Sequence, residues 1–423
     1  VPISPRLKSI ALNATLLVVV TSITLAVVDV ALITTGLLPP PYTPGNPVVG
    51  WVSAEPSAAM QQTSCVDFST GRVVSLQRNE DGVRTTVPKA RLLGPGSVYE
   101  IVVSGDSHTE LCAENERTHA GFTAQYLSGS GVPAEAYQFG SGKYSPLQAY
   151  LAIEPFLQSY QPDAFVLNLY SGNDFYDMLR IDDRPHFAGA VGSYTIAPPV
   201  WYTLDAPGDP PKSRVRAAAR QLAAMTGAQR VMLRIQYLRD LAAREHQGAG
   251  VVWNYMNDLR RSANDEIGYP QAYTAQMLNQ QLFFHHFPGS REESVARVRH
   301  LLALIRSRHP DVLLVLSPIP SYQLVVKTPT DSGMQQVLRR LPLTYAGGVA
   351  EEEALYNGLR ELARDAGWVF VDNLTPLRAV ASPDSLYNHF DYHIEPSASA
   401  LIGRAQAAAI DSVRRARASV VPQ

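Results

Sequence analysis

From Tyr99 onward the chain alternates two patterns. Short runs dominated by Val, Leu and Phe recur at Tyr99–Val103, Ala136–Phe139, Ala164–Leu169, Val312–Leu316 and Trp368–Val371. Between them lie stretches of helical periodicity: Glu110–Ser128, Leu147–Tyr160, Glu292–Arg308 and Glu351–Ala366. In Glu292–Arg308 the stripe Val295, Val298, Leu301, Leu302 and Ile305 marks the buried face. Uninterrupted apolar runs predict strands covered on both faces. Their alternation with amphipathic helices predicts a three-layer α/β/α domain around a mostly parallel five-stranded sheet, of flavodoxin-like type.

The spacing breaks once. Residues 178–290 carry Pro-rich loops and one strongly helical region, Lys212–Glu245, and read as an insertion at the strand ends, where open α/β sheets bind ligands. Upstream, Arg72–Arg78 and Val83–Val87 flank the turn Asn79-Glu80-Asp81-Gly82, a β-hairpin signal. Residues 39–60 are rich in Pro, Gly and Ser and read as a linker. Three regions result: a cytoplasmic stub and anchor over 1–38, a linker and hairpin lead-in over 39–97, and the α/β domain over 98–423.

The anchor is Ser9 to Val28, SIALNATLLVVVTSITLAVV, which holds no ionisable residue. At ~1.5 Å per residue it spans roughly 30 Å, the hydrocarbon thickness of a bilayer. It outruns the apolar region of a cleaved signal peptide and so predicts one uncleaved transmembrane helix. Arg6 and Lys8 precede it, which keeps the amino terminus cytoplasmic and sends the main domain to the extracytoplasmic side, the periplasm of a bacterium. The lipid bilayer of the inner membrane is then the first expected partner. Charge adds an exclusion: 36 basic against 38 acidic side chains leave −2, a balance that gives no surface for nucleic acid.

Cys65 and Cys112 would meet an oxidising compartment, where they either form a disulfide or stay as buried thiols. No CxxC or HExxH occurs, so no zinc site is expected. Asp174, Asp177, Asp182, Asp183 and His186 form an acidic run without the ligand spacing of a calcium loop and read as solvated. His285 and His286, set between phenylalanines, read as a packed or partner-facing pair.

Candidate chemistry clusters just past the strands. The first strand runs into Gly105-Asp106-Ser107, placing a hydroxyl at a strand-to-helix turn where its own amide can face a developing oxyanion. The second leads to the glycine loop Phe139-Gly140-Ser141-Gly142, and the third to Gly172-Asn173-Asp174. The fifth leads to His389-Phe390-Asp391-Tyr392-His393, ahead of the last helix. Serine, glycine, asparagine and histidine in this order are the groups acyl transfer requires.

The ordered set resembles the SGNH hydrolases, the GDSL esterase/lipase superfamily, over most of the chain outside the anchor. It is similar in particular to membrane-anchored bacterial members, in which an Asn-x-x-Gly-x-Arg turn, here Asn79 to Arg84, precedes the GDS strand. The resemblance implies Ser107 as nucleophile, His393 as general base and Asp391 as its orienting carboxylate. It implies an oxyanion hole built from the Ser107 amide, the Gly142 amide and the Asn173 side chain, with Gly140 as the alternative to Gly142. The usual Asp-x-x-His spacing is Asp-x-His here, and Gln138 stands where the second block begins with Asn. Such enzymes need no metal or diffusible cofactor. Two functions follow as expectations: a membrane-anchored serine esterase or O-acyltransferase acting on an acylated small molecule or glycan, or a catalytically silent accessory subunit docked on other membrane-protein subunits of a respiratory or photosynthetic type of complex.

Overall fold

The computed structural model describes residues 58–67, 72–89, 98–142, 144–180, 184–198, 284, 288–326, 345–388 and 392–420, with Val48 and scattered positions between 13 and 28. Nine of the twenty residues of the predicted anchor lie outside the described residues, as do Lys212–Glu245, His285, His286, Asp182, Asp183 and Asp391. Among the described residues no helix is long and apolar enough to cross a membrane. The chain divides into two compact units. The smaller comprises Val1–Trp51, Ile181–Asp183 and Pro198–Gly250; the larger holds all the remaining residues, including the sheet and the candidate site.

The larger unit is a five-stranded parallel sheet between helices, the three-layer fold expected. Its strands are β3 (Tyr99–Gly105), β4 (Ala134–Gly140), β5 (Ala164–Tyr170), β8 (Leu313–Ile319) and β9 (Val369–Phe370), in the spatial order β4-β3-β5-β8-β9. Every residue of β5 and β8 is buried, which is why both read as unbroken apolar runs. Ile101, Val103, Val166 and Val315 face α2 (His119–Gly129) and the last helix, α9 (Pro396–Val420), through Leu127, Ala407 and Ile410. Their neighbours Val102, Phe165 and Leu314 are equally buried. On that face Phe165 meets Trp368 edge-on, and Trp368 Nε1 donates to the Leu302 carbonyl of α5 (Pro288–Arg308) at 3.0 Å. The strand order reverses between β3 and β5, the switch point at which open α/β sheets place their ligands.

A polar seam runs through this apolar core. Gln406 Nε2 on α9 donates to Asn168 Oδ1 and Ser317 Oγ at 3.1 and 2.8 Å, and Asn373 Nδ2 donates to the same Ser317 oxygen at 2.9 Å. Asn168 Nδ2 reaches Thr109 Oγ1 at 3.0 Å, behind the nucleophile candidate. All five residues are essentially inaccessible, and their mutual pairing offsets the cost of burying amides.

Two local expectations are corrected. The predicted hairpin forms only at its base, where Arg78 bridges antiparallel to Arg84 and Thr85 N donates to the Gln77 carbonyl at 3.1 Å; along its full length Arg72–Arg78, β2, pairs antiparallel with β1 (Gln61–Asp67). The turn between Arg78 and Arg84 is closed by Asn79: its N donates to the Val83 carbonyl, and its Oδ1 accepts from Asp81 N and Val83 N. Residue 84 then pairs across to Gln138 of β4. The continuous helix expected from Glu110 to Ser128 is likewise interrupted. A single turn, α1 (Ser107–Glu110), stops at Leu111, whose φ of 33° ends helical geometry, and α2 starts afresh at the Thr118 cap. The insertion contributes one described element pair that the pattern did not suggest, β6 (His186–Ala188) with β7 (Thr195–Ala197).

Candidate active site

β3 delivers Gly105 and Asp106 to the turn, and Ser107 opens α1. Gly105 is required because a Cβ there would lie 2.2 Å from Thr109 Oγ1; at Gly140 it would lie 2.3 Å from the Glu110 amide. Gly140 is therefore a close-approach residue that lets β4 meet the back of α1. Asp106 caps the turn, its Oδ1 accepting from His108 N at 2.9 Å.

His393 comes from the opposite end of the chain. Tyr387 and Ile394 form an antiparallel bridge, and Asn388 N donates to the His393 carbonyl at 2.9 Å, closing a narrow loop. Tyr392 adopts a left-handed φ of 56°, unusual for a bulky side chain, and packs on Tyr322 with ring centroids 4.4 Å apart. That turn delivers the next residue's imidazole to the serine: His393 Nε2 lies 2.8 Å from Ser107 Oγ. Both side chains are half-buried. This is nucleophile-to-base hydrogen-bond geometry.

Gly142 and Asn173 reach the same edge, but their donors are engaged by carboxylates of the chain. Gly142 N donates to Glu110 Oε2 at 2.7 Å, and Asn173 Nδ2 donates to Asp177 Oδ2 at 3.1 Å. Asp177 is in turn paired with the buried Arg184 at 2.7 Å. The loop bearing Asn173 is pinned by Glu352, which accepts from Ser171 Oγ and, at 2.8 Å, from Ser321 Oγ.

Sequence reasoning missed the contributions of four residues. His108 is buried and stacks on Tyr170 and His393, and Glu110 occupies the Gly142 amide; both stand within three residues of Ser107, and that adjacency was the available signal. Asp106 and Asp174 form a buried acidic pair beside the site. Burial is the main cause that raises Asp106 to about 7, with His393 opposing it. Burial and then the neighbouring Asp106 and Asp177 push Asp174 well above the usual carboxylate range. Asp174 and Asp177, read in the sequence as solvated, are instead buried: Asp174 accepts from the Tyr170 amide at 2.7 Å. Among the described residues no group of His, Cys, Asp and Glu could hold a metal ion. Cys65 and Cys112 form a disulfide, which ties β1 to the residue following Leu111.

No known family profile matches the chain, and no curated protein matches it. Solved structures do. A GDSL-like lipase from Parabacteroides merdae is 12% identical over 75% of this chain and 98% of its own, with a TM-score of 0.35. The acetylxylan esterase Axe2 from Geobacillus stearothermophilus is 11% identical over 75% and 95%, with a TM-score of 0.30. A lipase/acylhydrolase from Enterococcus faecalis is 11% identical over 77% and 99%, with a TM-score of 0.30.

Proposed function

We propose that the chain is a serine ester hydrolase or O-acyltransferase that works through an acyl-enzyme on Ser107. The observation that carries this is the 2.8 Å contact between Ser107 Oγ and His393 Nε2, made by residues that the fold brings to the switch point of the sheet. In the reaction His393 Nε2 takes the Ser107 proton as Oγ attacks the acyl carbonyl. The Ser107 and Gly142 amides and Asn173 Nδ2 receive the oxyanion, and the imidazolium returns its proton to the leaving alcohol. Water or an acceptor hydroxyl then repeats the sequence in reverse to free the acyl group. Asp391 would orient the far side of the imidazole. For the hole to form, the substrate oxygen takes the Gly142 amide from Glu110.

An intact serine–histidine contact favours this reading over a silent accessory subunit. A bacterial extracytoplasmic location, tethered by a single pass through the inner membrane, is part of the proposal. It is supported by the Cys65–Cys112 disulfide, by the uncharged Ser9–Val28 run, and by the exposure of Leu16, Leu17, Val20 and Ile23 within that run. Hydrolysis of short-chain p-nitrophenyl esters, with and without a sugar acceptor, tests the function. The reading predicts turnover that Ser107→Ala abolishes; equal rates in parent and variant would sink it.

A further inference from the structure

Arg84 lies outside the four motif blocks, yet its side chain is committed to the segment that bears the nucleophile. α1 has one turn, so the carbonyls at its C-terminal end have no helical partner. Arg84 supplies the donors. Nη1 donates to the carbonyls of Glu110 and Leu111, the latter at 2.7 Å; Nη2 donates to the Ala113 carbonyl, and Nε to Asn115 Oδ1 at 3.0 Å. The Thr109 carbonyl accepts from Gln138 Nε2. Arg84 and Gln138 are themselves joined through the backbone in both directions, at 3.0 and 3.1 Å.

The guanidinium is buried, and its location is set by the Asn79–Val83 turn just before it. Burial lowers it to about 10, with Arg78 adding to the fall and Glu110, Glu116 and Glu114 opposing it, so it stays cationic at neutral pH. Only a planar fork of five donors serves carbonyls on successive residues at once; a lysine ammonium is a point charge with a different reach. The Cys65–Cys112 bond adds a covalent tie from the same lead-in to the same segment.

We propose that Arg84 is a positioning residue for the reaction at Ser107: its guanidinium fixes α1 and the loop behind it, and thereby holds Ser107 Oγ on His393 Nε2. The lead-in before the GDS strand is then part of the catalytic apparatus and not a spacer. The kinetic consequence rests on the hydrolase reading; the geometric one does not.

Two readouts on the full chain separate them. The first is the rate at which a fluorophosphonate labels Ser107, measured in the parent, Arg84→Lys and Arg84→Ala, with methylguanidinium added to the alanine variant. The expected result is a loss of at least tenfold in both variants, with partial recovery by methylguanidinium and none by sodium chloride. Labelling within twofold of the parent in a folded Arg84→Lys protein overturns the proposal. The second is the His393 ring signal in a histidine-labelled nitrogen–proton spectrum, which needs no turnover. A shift of that signal in Arg84→Lys supports the positioning role even if the parent proves unreactive, an outcome that would defeat only the hydrolase reading. An unchanged His393 signal in Arg84→Lys overturns the proposal whatever the labelling shows.

Discussion

The imidazoles of His108 and His393 stack with ring centroids 4.5 Å apart, and Tyr170 closes the other face of His108 at 3.7 Å. Neither ring nitrogen of His108 has a hydrogen-bond partner among the described residues. Burial first, then the charges of His393 and His119, hold it well below the usual histidine range, so it stays neutral. In the proposed mechanism it is a flat plate against which His393, the proposed base, is aligned. His108→Phe keeps the plate, and the expected ester hydrolysis is within about threefold of the parent. His108→Ala opens a gap beside His393, and a lost stack of this kind is worth about tenfold in kcat/KM. Steady-state kinetics on both variants checks the difference.

In the proposed mechanism Glu110, which accepts from the Gly142 amide at 2.7 Å, competes with substrate for that donor. A hydrogen bond from a backbone amide to a carboxylate contributes about 1.5–3 kcal/mol, and acylation must displace it. Glu110→Ala is therefore expected to raise the rate of fluorophosphonate labelling by roughly tenfold, the lower end of that range. A fall in rate would mean that Glu110 supports the site instead of obstructing it.

Legibility in the sequence followed chemistry that is local in the chain. The strands β5 and β8 announced themselves because both faces are covered, and Ser107 because it stands at a strand end. The register of the lead-in was not legible. β2 pairs in full with Gln61–Asp67, while the Val83–Val87 run meets it only where Arg84 bridges Arg78, because Arg84 also pairs across to Gln138 of β4. The break at Leu111 was hidden for a similar reason: its causes are a guanidinium 27 residues away and a disulfide partner 47 residues away. Helical periodicity carries neither. Glu110 looked like the first residue of a long surface helix, and only three-dimensional proximity to Gly142 gives it a role.

The disulfide closes a loop with a sequence separation of 47. On the chain-entropy model such a link contributes about 4 kcal/mol. The double variant Cys65→Ser, Cys112→Ser is expected to lose stability of that order, read as a lower denaturation midpoint. Reduction by a phosphine should also slow Ser107 labelling, because the tie holds the segment behind α1. Denaturant unfolding of oxidised and reduced protein, followed by labelling at equal folded fraction, separates the two effects.

Two buried groups give opposite pH dependences of stability. His119 is lowered from 6.5 to about 3, by burial first and the Arg84 charge second. Its depressed value means that the folded state binds fewer protons, so its contribution is present above pH 6.5 and lost as pH falls toward 3. Asp106 is raised from 3.8 to about 7, so the folded state binds more protons; its contribution is present below 3.8 and lost as pH rises through 7. His119→Gln should flatten the acid limb of the stability profile, and Asp106→Asn the fall between pH 4 and 7. Urea unfolding at a series of pH values reads both.

The central claim is that Ser107, activated by His393, forms an acyl-enzyme. Intact-protein mass spectrometry after exposure to a fluorophosphonate tests it most directly. The account predicts one adduct per chain, located on Ser107, absent in Ser107→Ala and formed at least about a hundredfold more slowly in His393→Ala. An unmodified Ser107, or equal labelling rates with and without the His393 imidazole, would contradict it.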